Sequence, residues 1–283
     1  MTFGSATTLY IQEVRTTMNT KWIGASLLAG AIIVPSAALA DVTAGSSRGY
    51  GIYVSLQLIG IPILTVPEQP LSQGSAPNPY TESGQVLSVA ASALGVASVG
   101  TGVIDSAASS DVDGGVGTRF ADADSLVDDL AITLVPPALG GPPLLSVTAD
   151  TIGSDSIVNG DFGGLSAVGS MVLEDLSIAV SGTALNIPIN PSPNTVLWDA
   201  AGLRIVLNEQ SSSVLAGSAS ISTNALHIEL DDVVTSGGLL SGEIIVAHSD
   251  AQMTSVVPEP ATFVGLACGL GLLSLLRRRP GRR

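Results

Sequence analysis

The sequence predicts an all-β fold, an antiparallel β-sandwich or barrel-like domain. Runs with 3.6-residue periodicity and Lys/Glu pairing are scarce. Apolar and polar residues instead alternate with period two, the mark of strands that bury one face. Clusters of Gly, Pro, Ser and Asp separate these short runs, as in sandwiches and barrels.

Taken in order, Gly49–Ile59 places Ile52, Val54, Leu56 and Leu58 on one face and Tyr53, Ser55 and Gln57 on the other. Gly60–Val66 continues extended, with Pro62 marking an edge or a bend. Pro67–Gly84, rich in Pro, Ser, Gln and Gly, reads as a surface loop. Gln85–Val99 is apolar and Ala/Ser-rich, and its period fits a strand pair or a short helix. Gly100–Gly117 reads as turns. Strand patterns follow at Thr118–Val135, Leu145–Ala149, Leu176–Val180, Leu185–Ile189 and Leu203–Leu207, with Pro136–Pro143 and Pro191–Asn194 as turns between them. Val168-Gly169-Ser170 also reads as turn chemistry. In Ser218–Asp232 the apolar parity switches from Ile221 and Thr223 to Leu226 and Ile228, which predicts a bulge or turn near Asn224. Ser241–Gln252 closes the domain.

Both ends of the chain read as targeting segments. Residues 1–40 form an expected signal peptide, with a short basic region at Met18–Lys21, an apolar run Trp22–Val34, and Ala38 and Ala40 as the small residues before cleavage at Asp41. This layout puts the expected start at Met18. The domain occupies 41–252, and residues 253–283 form a tail. Within the tail Ala261–Leu276 carries no charge, and as a helix its 16 residues span roughly 24 Å. That is short for a bilayer core of about 30 Å, so the span requires local thinning or snorkelling. Arg277, Arg278 and Arg279 hold the end of such a span in the cytoplasm, which leaves the domain outside it. Pro258 and Pro260 keep Glu259 extended just before the span.

Between Asp41 and Val256 there are 22 acidic residues and three basic ones, Arg48, Arg119 and Arg204, for a net charge of −19. No lysine is among them. Nucleic-acid binding needs a cationic face to displace phosphate counterions, and anionic membranes repel such a surface. The one cysteine, Cys268, lies in the tail, so the domain has neither disulfide nor thiol chemistry.

The tail resembles the PEP-CTERM sorting signal, with Pro258-Glu259-Pro260, an apolar span and a terminal arginine cluster in that order. The resemblance implies a Gram-negative envelope, export by the secretion machinery and signal peptidase, and recognition and tail removal by an exosortase after transient anchoring in the inner membrane. It also implies a role at the cell surface or in an exopolysaccharide matrix. The domain is similar to the choice-of-anchor P family over Gly49–Leu64, Ile205–Gln210, Asn224–Ile228 and Gly242–Gln252. That resemblance implies an envelope-exposed β domain without an established activity.

Few residues invite chemistry. His227 and Glu229 share a strand face, and with His248 they are candidate metal ligands. Asp111 and Asp113 head an acidic series that continues with Asp122, Asp124, Asp128 and Asp129, oxygen ligands of the kind calcium prefers, but no EF-hand loop is completed. The simpler reading gives the histidines structural hydrogen bonds and leaves the aspartates solvated. Asn208-Glu209-Gln210 reads as turn-forming residues at a strand end. No Gly-x-Ser-x-Gly elbow or phosphate-cradling loop occurs in the required context. The sequence therefore predicts a structural or interaction protein with no catalytic residues and no cofactor. A calcium- or glycan-binding module is the alternative.

Overall fold

A computed structural model of the chain describes residues 41–93, 95–134, 141–235 and 237–256. The expected signal peptide, the Pro-Glu-Pro segment, the apolar span and the arginine cluster lie outside the described residues.

Among the described residues every element is a strand. In chain order these are β1 (Asp41–Leu58), β2 (Ile61–Ala76), β3 (Tyr80–Val86), β4 (Ala90–Ala93), β5 (Ala97–Gly100), β6 (Ile104–Ser110), β7 (Arg119–Leu134) and β8 (Leu145–Gly160). They continue with β9 (Ser166–Glu174), β10 (Ser177–Val180), β11 (Thr183–Ala184), β12 (Thr195–Ala200), β13 (Leu203–Leu215), β14 (Ser218–Thr235) and β15 (Gly238–Val256). The fold is all-β with antiparallel sheets, as the alternation predicts. One sheet has six strands in the order β12-β13-β14-β15-β1-β2. The other is built on β7 and β8, with β5 and β6 beside different halves of β7, and β9 and β10 beside different halves of β8. Their inner faces share a core: Ile52, Val54, Ile205, Leu226 and Val246 from the first meet Ile104, Ile132 and Val147 from the second. This is consistent with a β-sandwich.

Both sheets are kinked along a transverse line. In β14 the inward residues are odd-numbered through Ala225 and even-numbered from Leu226 to Leu230, where a register shift follows. The same switch falls at Gly51/Ile52 in β1, Val246/Ala247 in β15 and Leu207/Asn208 in β13. The parity change expected near Asn224 is therefore real, but it is neither a turn nor an inserted residue. The register stays in phase, with Leu207 opposite Leu226 and Glu209 opposite Asn224. Left-handed backbone at Asn208 (φ 52°) and Ala247 (φ 52°) accompanies the exchange of faces. Asp129 (φ 50°) marks the matching switch in β7.

Near this line the sheets approach closely and the interior turns from aliphatic to hydroxylic. A Cβ on Gly49 would lie 2.6 Å from the Asp124 carbonyl oxygen. Ser156 Oγ donates to Thr223 Oγ1 (2.9 Å) or to the Ser249 carbonyl (3.0 Å), and Ser249 Oγ donates back to Ser156 Oγ (2.9 Å). Ser72 and Ser106 also bridge the sheets, at 2.8 Å. These buried hydroxyls separate the main core from a smaller one around Val42, Val112, Val158, Ile221 and Met253.

The structure corrects several expectations. Pro67–Ala76 continues strand β2 and Tyr80 opens β3, so the expected loop shrinks to a short connection. Pro67 and Pro70 are tolerated because β2 is an edge strand, where a missing N–H leaves no ladder partner unsatisfied. Within Gly100–Gly117, Ile104–Ser110 is a strand whose inward residues are mostly Ser and Ala, too small for an apolar signal. Of the two alternatives for Gln85–Val99 the structure takes the strand pair, β4 against β5. Leu185–Ile189 is irregular, with pairing confined to Thr183–Ala184. Val168-Gly169-Ser170 lies inside β9, and Thr195–Ala200 forms β12; the sequence reading assigned neither strand.

Candidate functional site

The strongest concentration of polar chemistry lies on the outer face of the six-stranded sheet, where the kink draws adjacent rows together. Register sets the row directly. Glu209 on β13 faces Asn224 on β14, Asn224 faces His248 on β15, and His248 faces Tyr50 on β1. Across the kink His227 faces Val206 and Ile245.

Side chains join these positions into one network. Glu209 Oε2 accepts from Asn224 Nδ2 (2.7 Å) and lies 2.8 Å from His227 Nδ1. Asn224 Oδ1 lies 2.6 Å from His248 Nδ1, and His248 Nε2 lies 3.1 Å from Asp250 Oδ2. Both His248 nitrogens thus face acceptors. Tyr50 stacks on His248 with ring centroids 4.5 Å apart, and the Arg48 guanidinium, paired with Glu68, lies 5.3 Å from the Tyr50 centroid. On the other side of His227, Glu229 Oε1 is 4.0 Å from Nδ1, and Glu229 is held by Arg204 at 2.9 Å. Glu243 Oε2 stands 3.4 Å from His227 Nε2, which is buried without a hydrogen bond.

Burial opposes the charged form of His227. The hydrogen bond to Glu209 and the charges of Glu209, Glu229 and Glu243 outweigh it and raise its pKa. The hydrogen bond from His227 in turn holds the Glu209 carboxyl below its ordinary range, against burial. Burial, reinforced by Glu68, pushes the Tyr50 hydroxyl up. Neither imidazole hydrogen-bonds a hydroxyl or thiol among the described residues. What the arrangement does is tie β13, β14, β15 and β1 together through their side chains. A groove of about 480 Å³, lined by Ser46, Arg48, Gln73 and Asp250, borders it.

The second sheet carries an acidic ladder on its outer face. Asp124 lies directly opposite Asp155, with Asp122 two residues along β7 and Asp105 on β6. Burial, then Asp155 and Asp124, push the Asp122 carboxyl up to about 6. Asp124 and Asp155 are raised for the same kinds of reason.

The predicted candidates fall in three places. His227, Glu229 and His248 occupy neighbouring strands, but the histidines meet through Asn224 and Glu209 and do not converge on one point. Asp111 accepts from the Phe120 N–H (2.7 Å). Asp113 accepts from the Gly115 N–H (2.8 Å) and pairs with Arg119 (2.7 Å). These two carboxylates order the connection between β6 and β7. Among the described residues no group of three or more His, Cys, Asp or Glu is placed to hold a metal ion. Asp41 opens β1, opposite Val256. Ala38, Ala40, Pro258, Glu259, Pro260, Arg277, Arg278 and Arg279 lie outside the described residues.

Sequence reasoning missed Asp250, Glu243 and Tyr50 as partners of the histidines, and Arg204 as the partner of Glu229. It also placed Asn208-Glu209-Gln210 at a strand end, whereas they sit within β13. Asn208 Nδ2 there donates to the Pro191 carbonyl, and Gln210 Nε2 reaches Gly169 on β9. The available signal was that three separated segments, 208–210, 224–227 and 247–248, each interrupt an aliphatic strand with Asn, Glu, Gln or His. The chain matches no protein-family model and has no significant sequence similarity to a curated protein.

Proposed function

We propose that this chain is an exported structural or interaction protein of a Gram-negative cell envelope, a β-sandwich domain delivered by a removable C-terminal sorting tail. The observation that carries this reading is the order Pro258-Glu259-Pro260, Ala261–Leu276, Arg277-Arg278-Arg279. Signal peptidase releases the N-terminus at Asp41. The apolar span holds the C-terminus in the inner membrane, and an exosortase removes the tail. A lysine-free domain of strong negative charge suits a soluble surface outside the cell.

The choice-of-anchor P resemblance draws support from where its segments lie. Tyr50, Glu209, Asn224, His227 and His248 come from the four matched stretches, and all belong to one network. That network reads as a device for holding the sheet, which fits a domain whose task is to present a surface.

The test is the intact mass of the protein from its own host, with cells, envelope and medium fractionated. A species beginning at Asp41 and ending near Pro258–Pro260 supports the reading. A species that keeps Ala261–Arg283 in the inner membrane replaces it with a permanently anchored periplasmic domain. Thermal stabilisation of the processed domain by calcium would favour the calcium-binding alternative.

A further inference from the structure

The two ends of the described chain leave the fold side by side, Asp41 on β1 being opposite Val256 on β15. The tip of the β13–β14 hairpin sits next to them, because Ser255 N donates to the Gly217 carbonyl at 2.8 Å. That tip exposes Val214 (54 %) and Leu215 (65 %), and Val256 is 50 % exposed. The surrounding rows carry no charge. Val42–Ser47, Leu71–Ala76, Ser211–Thr223 and Ala251–Val256 contain no Asp, Glu, Lys or Arg, although the domain as a whole is strongly acidic. Asp41 adjoins these rows, and Asp111 and Asp113, which flank the Val112 packed behind Val42, are the nearest charges of the second sheet, with Asp113 paired to Arg119.

We propose that this end of the six-stranded sheet is a lipid-contacting surface, and that its apolar lip of Val214, Leu215 and Val256 rests on the phospholipid interface while the tail is in place. This inference rests on the sorting-tail reading. Its partner follows from chain length. Only residues 257–260 separate Val256 from the apolar run at Ala261, so five residue steps bound the separation at roughly 17 Å. A domain tethered that closely must turn some face to the headgroups. An acidic face is repelled there, whereas small exposed aliphatics beside an uncharged sheet end can insert shallowly. The tether also makes a weak contact sufficient, because the lip is held at high effective concentration. Removal of the tail would release the surface without any change in the fold.

The test uses the chain freed of its signal peptide, residues 41–283 with the tail in place, in vesicles of phosphatidylethanolamine and phosphatidylglycerol. Cys268 is replaced by Ser, and a polarity-sensitive fluorophore is placed at Leu215→Cys, or for reference at Ile59→Cys, in the turn at the far end of β1. Resistance to alkaline extraction reports tail insertion. With the tail inserted, a headgroup-region quencher should lower emission at position 215 by about half and leave position 59 nearly unchanged, as shallow burial requires. An inserted tail with equal quenching at both positions overturns the lipid surface and leaves the sorting reading standing. A tail that fails to insert overturns both. Protection at position 215 that rises with protein density, and not with lipid quencher, means that copies of the chain cover the lip, and it also overturns the proposal.

Discussion

Glu209 Oε2 lies 2.8 Å from His227 Nδ1 across the kink of the six-stranded sheet, and the same oxygen accepts from Asn224. One carboxylate oxygen thus joins rows that a flat sheet would hold apart. The consequence is a defined pH window. The pKa of His227 is raised in the fold, so its contribution is complete below the ordinary value of 6.5 and is lost as pH rises through the folded value. Glu209 is held below its ordinary 4.5, so its contribution is complete above 4.5 and is lost as pH falls through the folded value. The pair stabilises most between those two ordinary values. Glu209→Gln should cost about 1.5–3 kcal/mol inside that window and flatten the pH profile above it. Urea titrations of the domain at a series of pH values check this, and an unchanged profile would show that the pair is unimportant.

Asp122 has the opposite sign. Its pKa rises from 3.8 to about 6, because burial and the neighbouring Asp155 and Asp124 disfavour its charge. Between these values the folded state holds more protons than the unfolded chain, so stability declines as pH rises through the interval. Asp122→Asn should remove that decline and raise stability at neutral pH by about 1 kcal/mol, after discounting for solvent screening. The measurement is the difference in unfolding free energy between the two proteins at acidic and neutral pH.

Gly49 tests how closely the sheets approach. A Cβ there meets a backbone carbonyl on β7, which cannot rotate away, so Gly49→Ala should destabilise by about 1–3 kcal/mol or more. At Gly100, where the nearest atom to an added Cβ is the Ala131 carbonyl oxygen at 4.0 Å, alanine should change stability by less than about 0.5 kcal/mol. Equal effects at the two positions would refute the close approach.

The buried hydroxyl bridge makes a non-additive prediction. Ser156→Ala strips partners from Thr223 and Ser249 and should cost about 1–3 kcal/mol. The triple variant Ser156→Ala, Thr223→Val, Ser249→Ala leaves fewer unsatisfied groups and should recover part of that loss. Chemical denaturation of the single and triple variants decides it.

Alternation exposed much of this fold because the residues carrying it are large. Ile52, Val54 and Leu56, or Leu145 and Val147, announce their buried face. β6 went unread for the reverse reason, since its inward Ser and Ala residues give little apolar period; in β9 the exposed Val168 and Val172 blur the alternation with Met171 and Leu173, which lean on the core. The prolines of β2 looked like loop residues, and only its place at the sheet edge explains them. The network was legible in pieces. His227, Glu229 and His248 stood out as rare residues, but their bonding partners lie on other strands, and register brings together residues such as Glu209 and Asn224 that local sequence cannot pair. The transverse kink was visible as a change of parity in β14, but its extension to β13, β15 and β1 follows only from the aligned ladders.

The position of β15 between β14 and β1 also governs the order of assembly. The β1–β15 ladder of the six-stranded sheet joins the first strand of the domain to its last. β1 can form a hairpin with β2 early, but its other edge stays unpaired until residues 238–256 arrive. Contacts separated by so much chain are slow to form, because loop closure must precede them. A growing chain therefore cannot complete this sheet domain-half by domain-half, and until β15 arrives it carries an open hydrophobic edge of the kind that aggregates or recruits chaperones.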